Sequence, residues 1–467
     1  MADAGTHVAF TVRLNTVLRN NLRLNATYYS TEVYKALHIL EKSGYPLEKL
    51  GNVVKEVFHL PRFKRTFVED ERMGWPYLAP IDLVMVRPIR RRFILRDVKE
   101  PERFFVKKGW LLITCSGAVG RVIYVTKRLE EYFITHDIIR VICGSKVLPG
   151  YLCAYLSSWI GNVLLTKDEY GMAVRHIEPE HVREIPVPIL PSDVQWEIHE
   201  MIVRAWEMRD KAIELEDKAV YLVEKKVLKL EEQEHVKPSL SFFITLSDIL
   251  QRDELRLDVT YHSAEATWAT AVLKRCGYPI KRLKELSLRI FNPPPLKRYI
   301  VIGEENVGEP YLPPAEVLKL RPTMKRVIAQ KIPKVEEWYV REGWILITQS
   351  GIPGIPILVT SRLRGVIVSQ NMIRVIPKSE IVMPGYLCAY LMSRVGSILL
   401  TRGQFGITVR HLRPRQVGQV LVPIPPKDIQ REIHGLVVEA WRLREEANRL
   451  EDEAVGRLLS ELRTTTA

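Results

Sequence analysis

The stretch Gly150-Tyr-Leu-Cys-Ala-Tyr-Leu156 occurs a second time, unchanged, at residues 385–391. Upstream of it, Gly109-Trp-Leu-Leu-Ile-Thr-Cys-Ser-Gly117 returns as Gly343-Trp-Ile-Leu-Ile-Thr-Gln-Ser-Gly351. Three further pairs keep nearly the same spacing: 22–28 with 255–261, 74–80 with 308–314, and 174–176 with 409–411. The spacing drifts only from 233 to 235 residues, which chance composition does not produce, and it is far too long for a solenoid repeat. The sequence therefore predicts one folded unit used twice in tandem.

The first part of each unit mixes strand and helix signals. Residues 149–166 predict a helix, because apolar side chains recur every four residues from Leu152 to Leu164. Gly117-Ala-Val-Gly120 predicts a hairpin-like turn. Short β-rich runs predict strands at 84–86, 110–114, 121–126 and 138–142. We therefore expect an α+β fold with two tandem α/β globules, each followed by a long helix.

The end of each unit is a heptad pattern. Between residues 193 and 235, apolar side chains alternate steps of three and four, with alanine at every second position from Ala205 to Ala219. The same rhythm runs from Ile433 to Ala454. Alanine lets two backbones approach closely, so we expect the helices to pair; the alternative is two ordinary surface helices. The predicted segments are globules at 1–192 and 238–426 and helical regions at 193–237 and 427–467.

Positive charge is concentrated in the globules. The chain of 467 residues has a net charge of +14 and a pI near 9.4. The helical segments 193–235 and 428–463 carry −5 and −3, which leaves +22 for the rest. A basic globule attracts polyanions, and nucleic acid is the commonest of these.

Cysteine spacing and hydropathy argue against other classes of protein. The five cysteines stand singly, with neither zinc-ligand nor disulfide-framework spacing. The first residues lack the apolar core of a signal peptide, and no window approaches 18 uninterrupted apolar residues. We therefore expect no metal site, no membrane contact and a cytoplasmic location.

Clusters of basic residues in the globules are the candidate DNA contacts. Arginine predominates among them, and its planar fork suits both guanine edges and phosphate. The candidates are Arg62, Lys64, Arg65, Arg87, Arg90, Arg91 and Arg92 in the first globule, Lys297, Arg298, Arg321, Lys325 and Arg326 in the second, and Arg175, His176, Arg410 and His411 in two duplicated loops. Each has an alternative interpretation, as a solvated surface charge or, in the loops, as a structural residue.

Motifs for catalysis are missing from the sequence. Asn292-Pro-Pro-Pro-Leu296 is similar to the signature of adenine-N6 methyltransferases, but Pro295 replaces the aromatic that stacks on a flipped base, and no glycine-rich cofactor loop precedes it. There is no Walker-type phosphate loop. The acid-x-Lys triplet Glu216-Asp-Lys218 lies on the heptad helix, where we expect a solvated face. Cys115 aligns with Gln349, so the two units do not share a thiol. We predict that the chain is not an enzyme.

The order globule, long helix, related globule, long helix resembles the specificity subunit of type I restriction-modification enzymes. The resemblance covers nearly the whole chain, with one departure at Gly351-Ile-Pro-Gly354 that leaves the shape of this loop open. The stretches that carry it are Arg23-Leu-Asn-Ala-Thr-Tyr-Tyr29, Pro76-Tyr-Leu78, Ser116-Gly-Ala-Val-Gly120 and Ile185-Pro-Val-Pro-Ile-Leu-Pro191 leading into Gln195.

This resemblance implies a function and a set of partners. Each globule would be a target recognition domain that reads one half of a split, asymmetric site in double-stranded DNA, and an antiparallel coiled coil would fix the spacer. Two methyltransferase subunits would bring S-adenosylmethionine, and a restriction subunit, where present, would bring ATP and Mg; no cofactor is expected on this chain. Two alternatives remain: the same module in a type IIB or IIG system, and a coiled-coil scaffold that binds only proteins.

Overall fold

Mixed helices and β-sheets build the chain, and the computed structural model shows where each element lies. It describes residues 11–12, 14–19, 26–88, 92–171, 175–231, 245, 247, 256, 259–294, 300–301, 308–328, 332, 334–406 and 408–464. These residues fall into two compact units. The described parts of 1–210 and 446–467 form unit 1, and those of 211–445 form unit 2. The expected combination of helices and sheets is confirmed in each unit.

Unit 1 contains two four-stranded sheets and one two-stranded sheet. Its strands are β1 (Leu47–Lys49), β2 (Val54–Phe58), β3 (Phe67–Val68), β4 (Gly74–Leu78), β5 (Phe93–Leu95), β6 (Leu111–Thr114), β7 (Val122–Tyr124), β8 (Phe133–Ile134), β9 (Ile138–Cys143) and β10 (Pro186–Pro188). The strand orders are β2-β9-β6-β7, β3-β5-β4-β8 and β1-β10. Neighbouring strands are antiparallel except for the parallel pair β4 and β8.

The described part of unit 1 also contains helices. They are α1 (Leu14–Arg19), α2 (Thr31–Lys42), α3 (Leu50–Val53), α4 (Pro80–Val84), α5 (Pro149–Ser157), α6 (Trp159–Thr166), α7 (Pro179–Arg183) and the long α8 (Ser192–Leu222), which belongs to unit 1 as far as Asp210. A short π-helix, Val223–Val227, continues α8 in unit 2.

Unit 2 repeats the strand order of unit 1. Its strands are β11 (Ile280–Arg282), β12 (Ser287–Phe291), β13 (Ile300–Val301), β14 (Glu309–Leu312), β15 (Lys325–Val327), β16 (Ile345–Thr348), β17 (Pro356–Leu358), β18 (Ile367–Val368), β19 (Met372–Pro377) and β20 (Leu421–Pro423). The sheets run β12-β19-β16-β17, β13-β15-β14-β18 and β11-β20, with β14 and β18 parallel. Its helices are α9 (Ala264–Arg275), α10 (Pro314–Val317), α11 (Pro384–Met392), α12 (Arg394–Thr401), α13 (Pro414–Gly418) and the long α14 (Lys427–Thr464), which belongs to unit 1 from Glu446 onward.

Two local predictions are wrong. Residues 84–86 do not form a strand, because α4 runs from Pro80 to Val84. The helix expected at 149–166 is broken at Ser158, whose extended backbone ends α5 and whose hydroxyl accepts a hydrogen bond from Gly161 N at 3.2 Å to start α6. The chain turns so tightly here that a Cβ on Gly161 would lie 2.0 Å from the Tyr155 carbonyl oxygen. The pattern of apolar residues continues through the break and therefore concealed it.

The predicted hairpin turn is present between β6 and β7. Gly117 and Gly120 adopt φ values of 72° and 82°, which favour glycine. Gly351 and Gly354 adopt 78° and 94° between β16 and β17, so the second loop keeps the shape of the first although its sequence differs.

Each long helix caps a buried helix of its own unit. Helix α5 begins without a side-chain cap, so its first N–H groups need acceptors from elsewhere. Gln195 Oε1 accepts from Leu148 N at 3.2 Å, and His199 Nδ1 accepts from Gly150 N at 2.9 Å. In unit 2, Gln430 and His434 of α14 cap α11 in the same way, at 3.0 Å each.

The long helices also contact each other within each unit. In unit 1, Ala205 of α8 packs against Ala447 and Leu450 of α14. In unit 2, both Arg444 guanidinium NH₂ groups donate to the Glu216 carboxylate at 2.7 Å, and both side chains are buried. The expectation of a solvated Glu216 is therefore wrong, because Arg444 neutralises its charge in the packed face.

Candidate nucleic-acid interface

Arg65 lies at a polar turn between β8 and β9. We call this turn, residues 135–137, the unit 1 corner. The Arg65 guanidinium pairs with the Asp137 carboxylate, and its Nη2 lies 3.4 Å from both Thr135 Oγ1 and His136 Nε2. Burial lowers the pKa of His136, against the opposing effect of the Asp137 charge, so this imidazole is neutral at neutral pH. A positively charged side chain is thus held in one place at the surface.

A buried arginine behind the corner fixes its backbone. The Arg140 guanidinium donates to the carbonyl oxygens of Ile134, Thr135 and Ile138, each at 3.1 Å. Burial lowers the pKa of Arg140 to about 10, which still leaves it charged at neutral pH. Because three carbonyl groups share one cation, the backbone of the corner is rigidly positioned.

The aligned turn of unit 2, residues 369–371, is held by the corresponding arginine, Arg374. We call it the unit 2 corner. Arg374 donates to the carbonyl oxygens of Val368, Ser369 and Met372 at 2.5–2.8 Å, and burial lowers its pKa to about 9. Sequence reasoning missed both arginines. The signal was a lone charge in an apolar strand, repeated at the same register in both copies.

An asparagine supports the unit 2 corner from the side. Asn292 Nδ2 donates to the carbonyl oxygens of Gln370 and Met372 at 2.6 and 3.1 Å, and lies 3.3 Å from Gln349 Oε1. Gln349 N in turn donates to the Asn371 carbonyl oxygen at 3.1 Å. Amide side chains therefore replace the His136 imidazole and the Asp137 carboxylate of unit 1, whereas Arg65 aligns with Arg298, which lies outside the described residues.

The remaining candidate cations differ in exposure. Arg92 is half-buried, pairs with Asp82 and lies over the Phe67 and Tyr77 rings, which gives it a structural role. Arg326 is half-buried and donates to the Gly308 carbonyl oxygen at 2.8 Å. Arg87 is also half-buried, whereas the exposed candidates are Arg62, Lys64, Arg175, Arg321, Lys325 and Arg410. Arg90, Arg91, Lys297 and Arg298 lie outside the described residues.

Backbone pairing holds the histidines of the duplicated loops. His176 and Tyr170 exchange two backbone hydrogen bonds of 2.8 and 3.0 Å, and His411 pairs likewise with Phe405 at 2.8 and 3.1 Å. Arg175 beside them is exposed and pairs with Glu169 at 3.0 Å. The loops therefore present an exposed arginine from a fixed base, while their histidines lie half-buried.

The described part of the chain contains no sign of a metal centre or a reactive thiol. There, no group of three or more His, Cys, Asp or Glu residues is arranged to hold a metal ion, and no helix is long and apolar enough to cross a membrane. Burial raises the pKa of the Cys115 and Cys143 thiols to about 12, so neither is a thiolate nucleophile at neutral pH.

Comparison with known proteins finds similar solved structures. No family model and no curated protein matches the chain. The S subunit of a type I restriction-modification system from M. genitalium is 12% identical with a TM-score of 0.36, and the match covers 90% of this chain and 96% of that one. The HsdS subunit from Thermoanaerobacter tengcongensis is 15% identical with a TM-score of 0.28, covering 91% and 96%. A third similar chain, from a study of assembly and conformational transition of a type I system, is 15% identical with a TM-score of 0.27, covering 91% and 97%.

Proposed function

We propose that this chain is the DNA sequence-specificity subunit of a type I restriction-modification system. One observation carries the proposal: a basic chain contains the same three-sheet unit twice, with identical strand orders and matched buried arginines. Two related but unequal readers in tandem suit a bipartite, asymmetric DNA site. Each unit, as a tandem duplicate, reads one half of that site and performs no chemistry itself.

The long helices form the spacer in this proposal. Their ion pairs support antiparallel pairing, because higher residue numbers on one helix meet lower numbers on the other. In unit 1, Glu197 pairs with Arg457 at 3.0 Å and Arg209 with Glu451 at 2.6 Å. In unit 2, Lys226 pairs with Glu432 at 2.8 Å. An antiparallel coiled coil would set the number of unread base pairs between the two half-sites.

Catalysis belongs to partner subunits in this proposal. Two methyltransferase subunits would dock on the assembly and carry S-adenosylmethionine for adenine-N6 methylation. A restriction subunit, where present, would carry ATP and Mg. Segments 193–235 and 428–463 carry net charges of −5 and −3, which disfavours contact with DNA and favours contact with protein partners. The assembly would act in the cytoplasm, where the chromosome is.

A salt titration of the full chain tests the DNA-binding part of the proposal. Anisotropy of a labelled mixed-sequence duplex measures affinity, with a neutral polymer as competitor control. We expect a loss of roughly 10³-fold or more between about 50 and 200 mM salt if at least six phosphates are contacted. Affinity that does not respond to salt, or that does not exceed affinity for the neutral polymer, contradicts a reader and favours the protein-only scaffold.

Charge reversal locates the phosphate contacts. Lys325→Glu changes an exposed residue of unit 2, and Lys64→Glu changes an exposed residue of unit 1. Each is expected to lower the salt slope by about one, as loss of one phosphate contact requires. Asp193→Lys at the exposed start of α8 is the control, and a slope equal to that of the wild type is expected.

A further inference from the structure

The two corners have the same backbone but different side chains. Thr135-His136-Asp137 of unit 1 aligns with Ser369-Gln370-Asn371 of unit 2, 234 residues on. Three positions close to the corners differ as well: His59, Cys115 and Glu178 align with Asn292, Gln349 and Arg413. Imidazole and carboxylate groups in unit 1 are thus replaced by amides and a guanidinium in unit 2.

In unit 1 these positions cluster at the corner, where His59 is exposed, Asp137 and Glu178 are half-buried and Cys115 is buried. His59 Nδ1 lies 3.6 Å from the Glu178 carboxylate, and Tyr170 donates a hydrogen bond to that same carboxylate. The Cys115 carbonyl oxygen accepts a hydrogen bond from Ile177 N at 3.1 Å, beside Glu178, and Thr114 pairs with Ile138, beside Asp137. Cys115 therefore lies close to both residues. In unit 2, Asn292 and Gln349 connect to the corner by the hydrogen bonds described above.

Several buried or capping residues that fix the fold are the same in both copies, although some core positions differ, such as Phe104 and Trp338. The matched pairs include Arg140 with Arg374, Tyr151 with Tyr386, Ser158 with Ser393, Gln195 with Gln430 and His199 with His434. Differences of hydrogen-bonding chemistry on a shared, rigid backbone are what two readers of different sequences require. An enzyme site or a purely structural ion pair would not need the second copy to change from charged groups to amides.

The chemistry of each corner points to a base pair. We infer that the corners read DNA bases, with Arg65 and Asp137 selecting a G·C pair in one half-site and Gln370 and Asn371 selecting an A·T pair in the other. Arginine held in a fixed plane matches the two acceptors of guanine, and a carboxylate accepts from cytosine. Glutamine and asparagine match the donor and acceptor of adenine. This inference rests on the proposed function and assigns its specificity to named residues.

Reciprocal exchange of the corners tests the inference. The full chain is incubated with a random duplex library, and the bound duplexes are sequenced. The double variant His136→Gln with Asp137→Asn gives these two positions of the unit 1 corner the side chains found in unit 2. The double variant Gln370→His with Asn371→Asp makes the reverse exchange in the unit 2 corner. Each double variant is expected to change base preference in one half-site only, by roughly five- to hundred-fold at one or two positions.

Further variants separate specificity from folding. Arg65→Lys keeps the charge but removes the planar fork, so we expect it to lose discrimination at one base pair with an unchanged salt slope. Glu207→Gln is the control. It removes one carboxylate from the exposed face of α8, just as Asp137→Asn removes one carboxylate from the corner. It is expected to select the wild-type sequence. If a double variant does not fold, Arg65→Lys decides the outcome for unit 1.

The outcomes distinguish the inference from the proposed function. A wild-type chain that selects no sequence overturns the proposed function itself. A wild-type chain that selects a two-part sequence, with all corner variants selecting the same one equally well, overturns the inference alone. A corner variant that changes both half-sites together also overturns it, because each corner is assigned to one half.

Discussion

The buried ion pair of Arg444 and Glu216 predicts a large, local loss of stability when it is broken. Their side chains are only 2% and 4% exposed, and two hydrogen bonds of 2.7 Å join them. Arg444→Met removes both bonds and leaves the carboxylate in the packed face. The expected cost is about 3–5 kcal/mol, as for other buried pairs that lose one partner. Methionine keeps an apolar side chain in the packed face but loses the cation–π contact with the Trp441 ring, which adds to the cost.

A matched surface pair calibrates this loss. Arg442 pairs with Glu439 at 2.7 Å only two positions away, but the side chains are 59% and 43% exposed. Arg442→Met should therefore cost no more than about 1 kcal/mol. Hydrogen exchange resolved by mass spectrometry measures the opening free energy of residues 427–445 in the full chain, and a guanidinium denaturation midpoint gives a second measure.

A third variant separates charge from packing. Glu216→Leu combined with Arg444→Met replaces both charged groups by apolar ones and should recover most of the stability, because the desolvation cost of both ions disappears. Equal losses for Arg444→Met and Arg442→Met would refute the reasoning. So would a double variant that is as unstable as Arg444→Met alone.

Two further predictions concern titratable groups. Burial lowers the pKa of His199 and His434 in the folded chain below the value of about 6.5 in the unfolded chain. The stability that these neutral histidines confer is therefore complete above about pH 6.5. It is lost as the pH falls from there toward the folded-state pKa, because the unfolded chain then binds protons more readily. Thermal melts of the chain should therefore show a lower Tm at about pH 5.5 than at about pH 7.5. The double variant His199→Asn with His434→Asn keeps a hydrogen-bond acceptor at each position but does not titrate, so it should reduce this difference in Tm. Cys115 and Cys143 should react slowly with a thiol reagent at neutral pH and rapidly once the chain is unfolded in guanidinium. Fast modification of these thiols in the native chain would contradict their raised pKa values.

Much of the secondary structure followed from the sequence because its signals are local and repeated. The hairpin of Gly117 and Gly120 and the strand that contains Ile138 rest on adjacent residues, and each appears twice. The long helices were also predictable, since a heptad pattern needs no knowledge of the partner. The break at Ser158 was not, because the apolar spacing continues across it and only the backbone shows the turn.

The packed face of α8 shows why the rest was missed. Heptad reasoning identified the alanine line, which includes the buried residues Ala205 and Ala212. A second line of buried residues on α8 includes Arg209 and Glu216. Because these residues are charged, a heptad pattern of apolar residues does not include them. Their burial depends on partners more than 200 positions away in sequence, at Glu451 and Arg444. The site was missed for the same reason, because Arg140 appears in the sequence as an isolated charge and acquires its role from carbonyl groups around it.

The caps that the long helices provide are matched between the two units. Gln195 and His199 begin α8 with the same spacing and the same acceptor atoms as Gln430 and His434 at the start of α14. The receiving backbone, around Gly150, has the same sequence in both copies. A globule moved from one position to the other would therefore meet the same hydrogen-bond acceptors on the long helix that follows it. Exchange of the two globules would keep the hydrogen bonds between each globule and the long helix that follows it.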